Sequence, residues 1–420
     1  MSCIRIRRST TTPDPIPPAM KIANIEVFVL RAARKQAYWG VNYVMEQQSE
    51  GFFRDYSTGY PLHVRSMPLY PSDLTAVLVK VTAESGLVGW GESKGVVAPA
   101  AVKSILVDMV IPAVLGMNAL DLALVRERMV VLMRLRGHLQ GFFQEAISGV
   151  EIALWDLKGK AAGLPIYSLL GGAFRDRIAT YASGVAGLKA NYQAADMTRI
   201  QQDARQAVAG GFRGLKIAIG AGGAPDLASV DAVREVVGDD YAILVDAGGC
   251  YDFHTALRVA AELQRRRVFW FEAPLPIDDF AGYIELSQRV AIPITNDLIW
   301  TAGLVRDMLQ RGGKVIFLPE VLKAGGILEC KQIADLLDRF HLPFAPHLSQ
   351  GTMLQFAATA HVCAAAPNFL ICEYWWQNNP LGNAILKRPL ELKDGCITVP
   401  QGPGLGVEID EAALAPFIVN

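Results

Sequence analysis

Three short apolar runs in the middle of the chain each stop on a carboxylate: Ala242-Ile243-Leu244-Val245-Asp246, Val268-Phe269-Trp270-Phe271-Glu272 and Ile292-Pro293-Ile294-Thr295-Asn296-Asp297. The runs are β-branched or aromatic with little polar alternation, the pattern of parallel strands buried on both faces. Each is followed by Gly, Pro or a helical pattern, and one strand with its helix takes roughly 25 residues, as one βα repeat of a parallel barrel does. Asp246, Glu272 and Asp297 are therefore expected at equivalent places on neighbouring strands, at the carboxyl-terminal rim where barrel active sites lie. Three hard oxygen ligands with no Cys or His among them suit Mg2+, whose other positions stay open to water and substrate oxygens. For any one of the three, a cap on the following helix is the simpler account. Three at matching phase favour a single metal site, and Glu is a poor N-cap residue that here precedes Ala273-Pro274.

A chain of 420 residues that is 51% hydrophobic, with a net charge of −1, is a soluble globular protein of two or three domains. It has no basic stripe to neutralise phosphates, which excludes nucleic acid or an anionic membrane as the main partner. Arg265-Arg266-Arg267 ends an expected helix, where it answers the helix dipole. The six cysteines are scattered without a CxxC pair, so neither zinc nor a disulfide framework is signalled, and a reducing, cytoplasmic compartment is expected. Residues 352–372 lack formal charge over the length of a membrane span, but Gln355, His361, Pro367 and Asn368 interrupt them. They read as a barrel helix followed by a strand.

Residues 1–19 are rich in Arg, Ser, Thr and Pro, with no apolar h-region, and are expected to be a disordered extension or an over-extended start. Residues 20–140 form an expected α+β capping domain: a first strand over 22–30, a hairpin over 74–81 and 87–90 turning at Glu84-Ser85-Gly86, and helical periodicity over 98–110 and 122–133. Within it, residues 36–68 make a loop crowded with aromatics, including Tyr38 and Trp39, and carrying Arg54 and His63. Loops of that length in compact domains are usually functional, and the aromatic content favours a lid over the substrate. An amphipathic helix over 144–162 leads into an expected (β/α) barrel over 141–379, with strands near Thr180, Leu215, Ile243, Phe269, Ile294, Ile316, Phe344 and Leu370. Residues 380–420 are too short for a domain and are expected to return to the capping one.

Taken in order, Ala153-Leu154-Trp155-Asp156, Leu215-Lys216, Val245-Asp246, Phe271-Glu272-Ala273-Pro274, Pro319-Glu320, Gly325-Gly326, Pro346-His347 and Pro403-Gly404-Leu405-Gly406 resemble the enolase superfamily in its mandelate racemase and muconate lactonizing enzyme branch. The resemblance covers nearly the whole chain from Met20 and implies a modified (β/α) barrel under an α+β lid. It also implies a rim-bound Mg2+ that stabilises the enediolate formed when a base removes the proton beside a substrate carboxylate. Asp246, Glu272 and Asp297 match the metal ligands. His347 matches the imidazole base, Glu320 the acid behind it, and Glu373 a residue that hydrogen-bonds the substrate carboxylate. There are departures from the family pattern: Gly248 stands where Asn is common, Ala273 replaces a second Glu, and Glu320 stands where Asp is more frequent.

The fourth departure bears on the reaction. In a Lys-x-Lys pair on one strand both ammonium groups would enter the barrel mouth, the second as a base on the opposite face of the substrate. Here the sequence is Lys216-Ile217-Ala218, so Lys216 is left as an electrostatic partner, with Lys323 as a further polar neighbour. A racemase generally needs a base on each face; a dehydratase can run on His347 alone. The expected function is therefore Mg2+-dependent dehydration of a sugar acid to a 2-keto-3-deoxy acid. A sugar-lactone cycloisomerase or an epimerase is the alternative, and a non-catalytic ligand-binding barrel the alternative from another class. Expected partners are a small-molecule carboxylate and further copies of the chain in a homo-oligomer, with no nucleic acid and no membrane.

Overall fold

The computed structural model describes residues 20–34, 73–188, 193–221, 223–297 and 300–419. The expected extension over 1–19 and the expected lid residues Tyr38, Trp39, Arg54 and His63 lie outside the described residues.

The capping sheet is built from β1 (Ile22–Ala33), β2 (Asp73–Ala83) and β3 (Val88–Ser93), all antiparallel, with β2 buried almost throughout. Helices α1 (Pro99–Ile105) and α2 (Leu122–Arg134) follow. A five-residue π-turn, Leu106–Val110, interrupts the periodicity expected over 98–110.

The long helix α3 (Phe142–Ala162) ends on Gly163 at φ 67, as its Gly-Leu-Pro signal requires. It lies flat on β3 because small residues let the backbones meet. A Cβ added at Gly89 would come within 2.0 Å of the Ala153 carbonyl, and one at Gly91 equally close to that of Gly149. The Asp156 carboxylate, buried on this helix, accepts from the Trp90 and Leu405 amides at 2.9 and 2.8 Å and from Lys160 at 2.6 Å. One side chain thereby ties together β3, α3 and the Pro-Gly-Leu-Gly segment. A Cβ at Gly404 would meet that same carboxylate at 2.2 Å.

The barrel strands are β4 (Arg177–Ala186), β5 (Gly214–Ala218), β6 (Ala242–Asp246), β7 (Trp270–Glu272), β8 (Ile294–Asn296), β9 (Ile316–Phe317) and β10 (Cys372–Trp375). Neighbours from β4 to β9 pair in parallel, and β10 closes on β4. Helices α4 (Ala194–Ala209), α5 (Ala224–Val237), α6 (Phe253–Arg265), α7 (Phe280–Arg289), α8 (Ala302–Gln310), α9 (Ile327–Arg339) and α10 (Met353–Ala365) fill the crossovers. The stretch read as helix and strand over 352–372 is α10 and the approach to β10. No helix among the described residues is long and apolar enough to cross a membrane. At the end of the chain, β11 (Leu392–Lys393) pairs with β12 (Cys396–Thr398), β12 pairs with β4, and β13 (Ile418–Val419) pairs with β1.

Two expectations need correction. The strand expected at Phe344 is reduced to one bridge, Phe344 with Phe369. Pro343 and Pro346 flank it and remove ladder donors, so the ring is carried there by single bonds, His347 N–H to Pro319 O at 3.1 Å and Leu370 N–H to Phe344 O at 2.8 Å. Phe269, expected inside a buried strand, precedes β7 and is 38% exposed.

Candidate active site

The barrel interior is layered. Tyr181, Leu244, Trp270, Leu318 and Ala345 pack together as one buried apolar cluster inside the ring, with Ala242, Ile316 and Ile371 against it. Side chains two apart on a strand share a face, so the next inward positions toward the carboxyl end are Ser183, Asp246, Glu272, Glu320, His347 and Glu373. Lys216 follows Gly214, and Asp297 follows Thr295, in the same way. A polar layer therefore sits on an apolar floor. Within it Asp246 is paired directly with Glu272, whereas the residue paired with Glu272 on β8 is Thr295. Asp297 thus lies two residues further along its strand than equivalence predicted, the kind of stagger that closing a barrel imposes.

None of the three carboxylates caps the helix that follows it. Those caps are Asp252, Asp279 and Thr301, each accepting from the first turn of its helix.

Lys216, 1% exposed, is shared among three acids: its Nζ lies 2.9 Å from Glu373, 3.1 Å from Glu272 and 3.6 Å from Asp246. One ammonium does not balance that group. Burial, then the neighbouring carboxylates, push Glu272 well above the usual carboxylate range although Lys216 opposes it. Asp246 is raised for the same first reason, with Asp297 adding to it. For Asp297 burial acts upward too, but Lys323 at 3.0 Å and His347 at 3.5 Å outweigh it and hold the group below its usual range.

His347 is held from both sides. Its Nδ1 lies 2.6 Å from Glu320 Oε2, and its Nε2 is 3.3 Å from Glu373 Oε2 and 3.5 Å from Asp297 Oδ2. Against burial, Lys94 and then the His347 hydrogen bond keep Glu320 below the usual carboxylate range. An ionised carboxylate only accepts, so Nδ1 is the nitrogen that donates to Glu320, and Nε2 is the one turned to the mouth. The longer Glu in place of Asp does not overshoot the ring. Glu373 is no helix cap: it is buried on β10, accepting from Ser183 Oγ at 2.5 Å and from the Leu348 amide at 3.1 Å.

Among the described residues one group could hold a metal ion: ligand atoms of Glu272, Asp297 and His347 lie within 4.8 Å of one another. The trio expected from sequence has Asp246 in place of His347 and is not drawn together that closely, although an all-carboxylate set is the one that suits Mg2+ and leaves the imidazole to Glu320. Glu272 Oε2 is buried with no hydrogen-bond partner among the described residues, the state of an oxygen placed for a cation. The adjoining backbone is special. Gly248 stands at φ 54, an angle Asn would also tolerate, and donates its N–H to Asp246 Oδ1 at 2.9 Å; Ala273, at φ 42, is a left-handed non-glycine beside Glu272.

Sequence reasoning missed three contributors. Lys94, following β3, grips both oxygens of Glu320 at 2.6 and 2.7 Å, Ser349 joins them, and Ser183 holds Glu373. Ser183 could have been found by counting two residues on from the inward-facing Tyr181. Lys94 could not, because its partner lies 226 residues away along the chain. Lys323 bonds Asp297 and lies 3.8 Å from Glu320 Oε2.

Residues 199–413 match the family described as enolase C-terminal domain-like, and residues 63–171 match the mandelate racemase / muconate lactonizing enzyme N-terminal domain. The chain is 31% identical to the D-galactarolactone cycloisomerase of Agrobacterium fabrum, over 81% of this chain and 90% of that one. It is 30% identical to the arabinonate dehydratase of Saccharolobus solfataricus, over 85% of this chain and 93% of that one. The crystal structure of an enolase-superfamily member from Agrobacterium tumefaciens superposes with a TM-score of 0.83 at 29% identity, covering 96% of this chain and 99% of that one.

Proposed function

The chain belongs to the mandelate racemase and muconate lactonizing enzyme branch of the enolase superfamily, and from that premise we propose that it is a Mg2+-dependent dehydratase of a sugar acid. The observation that carries the reading is asymmetry across the mouth: an imidazole backed by an ionised carboxylate on one side, and Ala218, at the end of β5, on the other. Asp246, Glu272 and Asp297 would hold the ion, which supplies Lewis-acid stabilisation of the charge that develops on the substrate carboxylate.

The residues then divide the work. Lys216 and Glu373 position the carboxylate end of the substrate. His347 Nε2 takes the α-proton, and Glu320 stabilises the imidazolium formed. The β-hydroxyl leaves from the same face with a proton returned by His347, so water departs and the enol left behind becomes the 2-keto-3-deoxy acid. One base suffices because acid and base act in turn on one face.

This reading takes the capping domain as residues 20–140, the barrel as 141–379 and a returning segment as 380–420, supported by the pairing of β13 with β1.

A second reading, a sugar-lactone cycloisomerase, is favoured by the likeness to the Agrobacterium fabrum enzyme. The test is a panel of aldonic and aldaric acids and their lactones, with Mg2+ and with EDTA. Keto product from an open-chain acid, abolished by EDTA, supports the dehydratase. Turnover of lactones alone supports the cycloisomerase, and ligand binding indifferent to EDTA with no turnover supports a binding barrel.

A further inference from the structure

The acid behind the expected base is gripped by a residue that follows the capping sheet. Lys94 immediately follows β3 and reaches Glu320, 226 residues away, with its Nζ 2.6 Å from Oε1 and 2.7 Å from Oε2. It also donates to Ser349 Oγ at 2.5 Å, and Ser349 lies 3.2 Å from Glu320 Oε1. Glu320 is 1% exposed, so water does not compete for these contacts.

A glutamate has one more rotatable bond than the aspartate more frequent at this place in the family, and that freedom has to be removed before its carboxylate can fix an imidazole. A competing position exists: Lys323, which bonds Asp297, is 3.8 Å from the same Oε2 that meets His347 Nδ1. Lys94, which bonds both oxygens, holds the carboxylate more closely than Lys323 does.

We propose that Lys94 is a positioning residue for the reaction: it clamps Glu320 so that Oε2 meets His347 Nδ1, and the base is completed only when the β3 end of the capping sheet is seated on the barrel. The proposal rests on the reading of His347 as the base. Lys94 acts through Glu320 and is not itself a proton acceptor for the substrate. The longer acid and the lysine from the other domain form one device, each requiring the other.

The test is Lys94→Met beside Glu320→Gln and the double variant, read by kinetics and by nitrogen-15 NMR of the histidine-labelled protein at a pH where the ring is neutral, with His347→Asn to assign the signals. In wild type His347 shows the tautomer with its proton on Nδ1. In Lys94→Met that pattern is lost or averaged, kcat falls about 10–100-fold and KM changes far less. The double variant is no slower than Glu320→Gln, because two residues acting as one unit are not additive. Lys94→Arg, which keeps the charge and the donors, restores part of the rate.

An unchanged tautomer in Lys94→Met, or losses that multiply in the double variant, would overturn the proposal. Should Lys94→Met fail to fold, Lys94→Ala, which also removes the donor, carries the same readings. The nitrogen-15 result stands even if no sugar acid is turned over, so failure of the dehydratase reading and failure of the clamp are separate outcomes.

Discussion

Asp246 and Glu272 face each other across one rung of the barrel with Lys216 shared between them, and burial disfavours the charge on both. A cation held there would relieve what the protein leaves unbalanced. Replacing either with Ala is expected to abolish turnover and to weaken Mg2+ binding at least tenfold by calorimetric titration, with the melting temperature kept or raised because a repulsion has been removed. Near-wild-type turnover at limiting Mg2+ would take that residue out of the site. At this scale the sequence was legible where a strand breaks its own pattern: an apolar run ending on Asp or Glu, or Pro346-His347 after one, announces a rim residue. Lys94 and Ser349 break no pattern. A Lys after an edge strand and a Ser in a loop are ordinary surface residues until the fold brings them to Glu320.

Helix α9 begins on Gly326 at φ 117 because the cap comes from elsewhere: Glu151 of α3 accepts from the Ile327 and Leu328 amides at 2.7 and 2.9 Å. A Cβ at Gly326 would sit 2.0 Å from Glu151 Oε2. Gly326→Ala is therefore expected to lose ~1–3 kcal/mol or more of stability in thermal or denaturant unfolding, with strain and the displaced cap adding. Glu92, in β3, makes a second joint, accepting from the Thr352 amide and hydroxyl at the start of α10. Burial pushes Glu92 up to about 7, so its protonated form is favoured by folding. That stability is complete below the ordinary pKa near 4.5 and is lost as pH rises toward and through about 7, at ~1.4 kcal/mol for each pH unit between those two values. Glu92→Gln, which mimics the protonated acid, should match wild type near pH 4.5 and exceed it in melting temperature at pH 8; equal curves at both would place the proton elsewhere. Helices and strands were legible from period and punctuation. The seventh strand was only partly so: Phe344 has strand character, but two flanking prolines leave it one bridge.

Across the whole molecule the capping sheet and the barrel are joined by buried polar contacts: Asp156 to Trp90, Glu92 to Thr352 and, at the site itself, Lys94 to Glu320. The order of motifs made the two-domain plan legible, because a Trp-Asp helix, a ladder of rim carboxylates and a Pro-Gly-Leu-Gly ending each have a place in it. What local pattern does not encode is which groups converge, since that depends on stagger and on contacts hundreds of residues apart. The central claim is that one imidazole serves one face of the substrate, and incubation of the turned-over sugar acid with enzyme and Mg2+ in D2O tests it most directly. The account predicts deuterium at carbon 3 of the 2-keto-3-deoxy product, recovered substrate of unchanged configuration, and loss of both turnover and exchange in His347→Asn, a general base being worth ~10²–10⁴-fold. Recovery of the opposite epimer, or exchange that survives in His347→Asn, would reveal a second base and contradict it.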